Sequence, residues 1–219
     1  MKTIALIAQK GGVGKTTLAV NLAVASGLRT AIFDLDQQES AAIWADRRKT
    51  DMPHVEFLTE RRLEEALKAA ERGLFELAII DTPPAAGPQA LTAAQAADLI
   101  LIPCRPSLVD LDAIRRTAQL VKSLGVPAFV VLNAAPPSAT TLLEDARAIA
   151  EGTGLSAAPV VLRERSAYRA SWPLGKAVVE TEPGSKAAQE ILELKDWILA
   201  QLQVCTPSTS QDVKEATNG

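Results

Sequence analysis

The feature that most constrains this chain is a segment rich in glycine and lysine near its start, Gln9-Lys10-Gly11-Gly12-Val13-Gly14-Lys15-Thr16-Thr17. From Gly14 onward the segment fits the phosphate-binding pattern G-x-x-x-x-G-K-[ST]. Gln9 stands where that pattern has its first glycine, and Lys10 follows it. The segment therefore brings a second lysine to one phosphate site, which is more than an ordinary loop of this kind requires.

The residue types in this loop suit a bound phosphate. Glycines lack a Cβ atom, so the backbone can turn tightly and direct its N–H groups toward an anion. A helix that begins near Lys15 adds the positive end of its dipole. We expect Lys15 to reach the β- and γ-phosphates of a nucleotide and the Thr16 hydroxyl to ligate Mg²⁺. A plain glycine-rich turn is the alternative, and the order of strand, loop and helix disfavours it.

Length and composition narrow the class of protein. The 219 residues predict one α/β domain over 1–203 and a polar, disordered tail over 204–219. The net charge of −3 excludes a globally basic nucleic-acid binder but leaves room for a local basic patch. Cys104 and Cys205 are too few for a disulfide framework, which is typical of a protein from the reducing cytosol. No apolar run approaches the ~20 residues that span a bilayer. No membrane association is expected, because the last predicted helix carries few cations and a polar tail follows it.

Apolar, β-branched runs alternate with helical patterns along the chain, which predicts βαβ units. The expected fold is a doubly wound, mainly parallel α/β sheet with helices on both faces. The predicted strands are 3–8, 29–34, 55–58, 77–81, 99–103, 128–133 and 159–162. The predicted helices are 17–25, 39–49, 62–72, 89–96, 110–123, 141–151 and 185–202. In such sheets ligands bind at the carboxyl ends of the strands.

Polar residues at the ends of several predicted strands suit such a ligand. The second strand leads into Asp34 and Asp36, where one acid could hold Mg²⁺ through water and the other could orient or deprotonate an attacking water. An acidic turn that caps the next helix is the alternative. The fourth strand closes in Asp81, a position from which a carboxylate typically holds the water shell of Mg²⁺. The sixth closes in Asn133, which could meet a purine edge but is also a common turn residue.

Together these motifs resemble the ParA/MinD superfamily of ATPases with a deviant Walker loop. The resemblance covers residues 1–203 and rests on Lys10-Gly11-Gly12-Val13-Gly14-Lys15-Thr16-Thr17, Asp34-Leu35-Asp36 and Asp81-Thr82-Pro83-Pro84, in this order and spacing. Within the superfamily the chain is similar to the short ParA-type DNA-partition ATPases. One departure is Gln37, which replaces the proline of the family's Asp-x-Asp-Pro-Gln and bears on the stiffness of this switch loop.

The resemblance implies ATP and Mg²⁺ as ligands and hydrolysis of ATP to ADP and phosphate as the reaction. It implies that Lys15 holds the β- and γ-phosphates in its own subunit, while Lys10 crosses a homodimer interface to the partner's ATP. Asp36, assisted by Asp34, would orient the hydrolytic water. The other implied ligands of nucleotide or metal are Gly11, Gly12, Val13, Gly14, Thr16, Thr17, Asp81 and Asn133.

The implied function is an ATP-dependent dimerising switch that binds nonspecific DNA and drives plasmid or chromosome partition. A ParB-type centromere-binding adaptor is the implied partner, and the nucleoid within the cytoplasm is the implied location. The candidate DNA surface is Arg163, Arg165, Arg169 and Lys176, and an ordinary solvated charged surface is the alternative. Two other functions stay open: the same ATPase positioning a carboxysome or chemoreceptor cluster, or a MinD-like membrane-bound positioning ATPase. The apolar face of the last helix is expected to pack in the core.

Overall fold

A computed structural model describes residues 1–84, 87–136 and 140–203. Its centre is a seven-stranded parallel sheet with the strand order β3-β2-β4-β1-β5-β6-β7. The strands are β1 (Lys2–Leu6), β2 (Thr30–Asp34), β3 (His54–Phe57), β4 (Leu77–Asp81), β5 (Leu99–Cys104), β6 (Ala128–Leu132) and β7 (Ser156–Ala157).

Helices connect these strands and follow the last of them. The α-helices are α1 (Lys15–Ala25), α2 (Ser40–Asp46), α3 (Leu63–Arg72), α4 (Pro88–Ala96), α5 (Leu108–Lys122), α6 (Thr140–Gly152), α7 (Ser166–Ser171), α8 (Val178–Thr181) and α9 (Lys186–Gln201). Short 3-10 helices span Glu60–Arg62 and Trp172–Leu174.

Helices cover both faces of the sheet because successive strand residues point to opposite sides. Ile4 and Leu6 of β1 pack in one core with α1, α2 and α9. Ala5 of β1 and Ile7 just after it pack in a second core with α3, α4, α5 and α6. β2, β4 and β5 are buried along their whole length, as central parallel strands require. The predicted doubly wound fold is confirmed.

Most predicted strands and helices agree with the structure to within a few residues, but the predicted strand over 159–162 is wrong. The last strand is β7, which ends before that segment. Beyond it, the N–H groups of Ala158 and Leu162 donate to the carbonyl oxygens of Val130 and Leu132 in β6. Between these two bonds the chain advances four residues while β6 advances two, whereas a regular parallel ladder advances two on both, so the ladder does not continue regularly beyond Ala158. The sequence pattern also does not predict the short helices α7 and α8.

The last helix packs in the core, as predicted. Ile191, Leu194 and Ile198 of α9 are buried, and Trp197 meets Phe129 of β6 edge-on with 4.8 Å between ring centroids. Across the ranges that the structure describes, we find no helix with the length and apolar character needed to cross a membrane. The tail predicted over 204–219, including Cys205, lies outside the described residues.

Candidate nucleotide-binding site

Parallel pairing brings the predicted site residues to one edge of the sheet. The glycine- and lysine-rich loop joins β1 to α1, Asp34 ends β2, Asp81 ends β4 and Asn133 directly follows β6. These positions all lie at the carboxyl ends of parallel strands, which is the edge where sheets of this type bind ligands.

The loop between β1 and α1 turns tightly at two glycines. Gly12 and Gly14 have φ angles of 73° and 92°, in the left-handed region that favours glycine. A Cβ atom on Gly14 would lie 2.3 Å from Nδ2 of Asn133, so a larger residue does not fit there. Asn133 donates from Nδ2 to the carbonyl oxygen of Val13 at 2.7 Å. Asn133 therefore braces the loop, a role additional to the predicted contact with adenine.

Lys15 begins α1 and is nearly buried, with 7% of its surface exposed. Burial lowers the pKa of Lys15, and the negative charges of Asp81 and Asp36 act in the opposite direction. Both acids therefore favour the charged ammonium group. A buried cation beside two acids suits a ligand that carries phosphates together with a metal ion.

Asp34 and Asp81 lie at the same level of neighbouring strands and are both fully buried. The carboxylate of Asp34 accepts hydrogen bonds from the N–H groups of Asp36 at 3.0 Å and Ala41 at 2.9 Å. Burial raises the pKa of Asp34, and these backbone hydrogen bonds oppose that rise. Asp34 thus shapes the turn that presents Asp36, which fits an assisting role.

Asp81 differs, because neither of its carboxylate oxygens accepts a hydrogen bond from the residues that the structure describes. Burial raises the pKa of Asp81 to about 7, the charge of Asp34 adds to the rise, and the Thr16 hydroxyl and the Lys15 charge oppose it. The Thr16 hydroxyl lies near enough to favour the charged carboxylate, but its geometry falls short of a hydrogen bond. A buried acceptor without a partner calls for an explanation. Carboxylate and hydroxyl oxygens are ligands that Mg²⁺ prefers, so Asp81 and Thr16 fit the predicted metal.

Hydrogen bonds stiffen the loop around Asp36 although it lacks the family's proline. Oδ1 of Asp36 accepts from the N–H group of Gln38 at 3.0 Å, and the N–H group of Glu39 donates to the Asp36 carbonyl oxygen at 2.9 Å. Gln37 itself is exposed. Asp36 and Lys15 line the same cleft of about 430 Å³, which we call the phosphate cleft. Asp36 and Lys15 therefore share one cleft.

Lys10 lies apart from this cleft. Its Nζ forms an ion pair with Oδ1 of Asp110, in the first turn of α5, at 3.5 Å. Lys10 lines a narrow crevice with Asp110 and Cys104 and is not among the described residues that line the phosphate cleft. The two lysines of the loop are thus directed to different places, with Lys15 in the phosphate cleft and Lys10 on the α5 side.

A second cleft, of about 270 Å³, adjoins the phosphate cleft, and we call it the nucleoside cleft. Gly12, Gly14 and Thr17 line both clefts. Asn133 lines the nucleoside cleft together with apolar and charged residues that include Arg105, Leu162, Arg163, Arg165, Tyr168, Arg169 and Ile191. Such a mixed lining suits a nucleoside. Sequence reasoning missed Arg105 here and Trp172 in the phosphate cleft, because only tertiary packing brings them to the loop.

The basic residues of the candidate DNA surface fall into two pairs. Arg165 forms an ion pair with Glu190, and the N–H group of Arg163 donates to the same carboxylate at 3.0 Å. Side-chain hydrogen bonding to Glu190 raises the pKa of Arg165. Arg169 and Lys176 are exposed. Nη1 of Arg169 forms an ion pair with Oε1 of Glu164 at 3.3 Å, and both of these side chains are exposed. Arg163 and Arg165 are thus held against the protein more closely than Arg169 and Lys176.

Comparisons with known proteins agree with this geometry. Residues 4–171 match the family model of the CobQ/CobB/MinD/ParA nucleotide binding domain. The maintenance of carboxysome distribution protein A of Gloeobacter kilaueensis is 32% identical over 210 residues, which is 90% of this chain and 95% of that protein. The chromosome partitioning protein ParA of Myxococcus xanthus is 30% identical over 167 residues, which is 55% of this chain and 59% of that protein.

Solved structures share the fold at low sequence identity. The septum site-determining protein MinD of Pyrococcus horikoshii, in complex with Mg-ADP, has a TM-score of 0.73 and 20% identity, covering 93% of this chain and 98% of that one. Apo McdA of Cyanothece has a TM-score of 0.72 and 19% identity, covering 91% and 99%. Together with the family model and the relative from Gloeobacter, these findings show that this chain belongs to the CobQ/CobB/MinD/ParA family of nucleotide-binding domains.

Proposed function

We propose that this chain is a switch that dimerises around ATP and Mg²⁺, hydrolyses the ATP and positions a large cargo on nonspecific DNA. The observation that carries the proposal is the separation of the two loop lysines, with Lys15 in the phosphate cleft and Lys10 paired to Asp110 outside it. A cation that the cleft of its own subunit does not use is available to a nucleotide in a second copy, much as an arginine finger acts in trans.

Within one subunit, the chain's own residues would bind and orient the substrate. The loop amides and Lys15 would bind the phosphates, while Thr16 and Asp81 would hold Mg²⁺, partly through water. When bound, Mg²⁺ neutralises negative charge on the phosphate oxygens. Asp36 would orient the attacking water, and Asp34 would fix the turn that presents Asp36.

Formation of the dimer would require Lys10 to exchange one partner for another. In the free subunit its ammonium group pairs with Asp110 at 3.5 Å, and 37% of the Lys10 side chain is exposed. A partly exposed ion pair contributes about 1 kcal/mol or less, so it opens readily. Phosphates of a nucleotide in the partner would offer more negative charge than a single carboxylate, which favours the exchange.

The relatives favour a carboxysome as the cargo over a plasmid or chromosome. Two proteins named for carboxysome distribution match over 95% and 96% of their own lengths, at 32% and 28% identity, whereas Protein ParA of Rhizobium radiobacter matches over 90% at 26% identity. We therefore place carboxysome positioning first, ahead of the partition function that the sequence motifs suggested. Partition with a ParB-type adaptor is the second candidate, and in either case an adaptor would link the cargo to the ATPase.

Nonspecific DNA is the proposed track for this movement. A subunit of net charge −3 should bind DNA poorly on its own, whereas a dimer would present two copies of Arg169 and Lys176. Contacts from such residues go to backbone phosphates and weaken steeply with salt. Arg163 and Arg165 are less suited to this role because the Arg163 guanidinium group donates to the Pro136 carbonyl oxygen and the Arg165 side chain pairs with Glu190.

The test is binding to a random-sequence duplex with ATP and Mg²⁺, with ADP and Mg²⁺, and without nucleotide, each at two salt concentrations. We expect the chain to bind DNA only when ATP and Mg²⁺ are present, and to lose this binding at the higher salt concentration. A variant with both Arg169→Glu and Lys176→Glu should also lose DNA binding. The matched control reverses Arg61 and Arg72, which are exposed near and on α3 at the opposite face of the sheet. DNA binding that is equally strong with ATP, with ADP and without nucleotide would contradict the proposal. ATP-dependent binding to anionic vesicles in place of DNA would show that the track is a membrane.

A further inference from the structure

Arg105 is an exposed cation at the nucleoside cleft that neither the motifs nor the family comparison assigns. Its guanidinium group makes no ion pair or hydrogen bond with the part of the chain that the structure describes. The other arginines of the cleft differ in this respect. Arg165 pairs with Glu190, and the guanidinium group of Arg163 donates to the carbonyl oxygen of Pro136 at 2.8 Å.

The backbone at Arg105 is fixed, although its guanidinium group has no partner among the described residues. The residue directly follows β5, and Cys104 before it and Pro106 after it are both buried. The Arg105 carbonyl oxygen accepts from the N–H group of Ser107 at 2.8 Å and from Sγ of Cys104 at 3.1 Å. A fixed backbone holds the base of the side chain beside the cleft, so ordering it on a ligand costs side-chain entropy alone.

The guanidinium group of Arg105 lies close to the phosphate loop. Nη2 of Arg105 is 3.9 Å from the place where a Cβ atom on Gly12 would lie. Gly12 lines both the phosphate cleft and the nucleoside cleft, whereas Arg105 lines the nucleoside cleft. The group therefore stands at the junction of the two clefts, on the nucleoside side.

We propose that Arg105 binds the nucleotide held in its own subunit, at the phosphate nearest the ribose. This inference rests on the proposed function, since it requires a nucleotide in the adjoining clefts. A planar guanidinium group with several N–H donors matches a phosphate oxyanion, and such charge-assisted hydrogen bonds are the strong ones. Because Arg105 has no acceptor in the described part of the chain, it gives up no hydrogen bond there when the ligand binds. Arg105 is thus a further binding residue of the nucleotide site.

The test is titration of the full chain with ADP and Mg²⁺ by calorimetry, for the wild type, Arg105→Ala, Arg105→Lys and Arg115→Ala. Arg115 is exposed on α5 and lines neither cleft, so its loss removes the same charge from a place without a role in binding. We expect Arg105→Ala to weaken ADP binding by about 10- to 100-fold, as expected for a charged hydrogen bond. Arg105→Lys should restore part of the affinity and Arg115→Ala should leave it unchanged.

Two further measurements decide how a result is interpreted. Thermal melting without nucleotide should be the same for wild type and Arg105→Ala, because the side chain has no described partner to lose. The loss of affinity should persist when Lys10→Ala is added to both proteins, since the proposed contact lies within one subunit. Equal ADP affinity of wild type and Arg105→Ala would overturn this inference and leave the proposed function intact. If the loss of affinity disappears with Lys10→Ala, Arg105 acts on the partner's nucleotide, and this inference is overturned too. A wild type that binds neither ADP nor ATP would overturn both this inference and the proposed function.

Discussion

Asp34 and Asp81 end neighbouring strands at the same level of the sheet, and both are fully buried, but their surroundings differ. Asp34 accepts two backbone hydrogen bonds from the turn that follows it, whereas Asp81 has two oxygens without a partner among the described residues. The first carboxylate is therefore part of the fold. The buried, unpaired oxygens of the second carboxylate destabilise the fold, and a bound metal ion would remove this penalty. Two aspartates at equivalent strand ends are thus expected to act differently: Asp34 stabilises the turn after its strand, whereas Asp81 destabilises the metal-free fold and suits a metal ion.

The largest expected effect concerns Asp81 and catalysis. Asp81→Asn should lower ATP turnover by about 10³-fold, because a residue that holds the metal supports several kcal/mol of charge stabilisation. Steady-state phosphate release at saturating ATP, followed over a range of Mg²⁺ concentrations, measures this. Turnover within a few-fold of wild type at all Mg²⁺ concentrations would show that the buried oxygens of Asp81 serve something other than the metal.

For Asp34 we expect the main effect on the stability of the fold. Asp34→Ala leaves the partly buried N–H group of Asp36 and the buried N–H group of Ala41 without an acceptor, so we expect it to lower the free energy of unfolding by about 2–4 kcal/mol. Urea denaturation of the nucleotide-free protein measures the change. The comparison with Asp81 fails if Asp81→Ala destabilises this form as much as Asp34→Ala does.

Asp36 extends the comparison, since it reaches the phosphate cleft from the turn that Asp34 holds. Asp36→Ala should lower turnover by about 10²-fold, as loss of an acid or base group does, while ATP binding survives. Calorimetric titration with ATP alongside the turnover assay separates the two quantities. An equal loss of binding and turnover would assign Asp36 to the phosphates or metal instead of the water.

Sequence reasoning identified both acids and gave them different roles, but it could not predict which carboxylate the fold itself hydrogen-bonds, because that difference depends on the turn after β2. The N–H group of Ala41, which Asp34 binds, belongs to α2 and lies close to Asp34 only once that turn has formed. The strand bounds of β4 were predicted correctly because Leu77–Asp81 is an unbroken apolar run that ends in an acid. The pairing of Arg165 with Glu190 and the place of Arg105 in a cleft were not predictable, since residues distant in sequence create them.

The smallest expected effect is on the pH dependence of stability in the nucleotide-free, metal-free protein. Burial raises the pKa of Asp81 from 3.8 to about 7, so the folded state keeps a proton that the unfolded state releases in this range. The free energy of unfolding should therefore fall as pH rises from about 4 to about 7. Asp81→Asn should reduce this slope without abolishing it. Part of the slope should remain because burial also raises the pKa of Asp34.

Urea denaturation at several pH values in the presence of a chelator measures this slope. Asp46→Asn, at an exposed position on α2, is the matched control and should leave the slope unchanged. An identical pH dependence for wild type and Asp81→Asn would mean that Asp81 is charged and solvated in the free protein.

The most direct test of the central claim is the mass in solution of the Asp36→Ala chain, in which slow hydrolysis should preserve bound ATP. Light scattering should give a dimer with ATP and Mg²⁺ and a monomer with ADP and Mg²⁺. Adding Lys10→Ala should return the ATP sample to a monomer, because the lysine that lies outside its own phosphate cleft would be lost from the interface. A dimer that persists without Lys10, or a monomer under every condition, would contradict the account of an ATP-dependent switch.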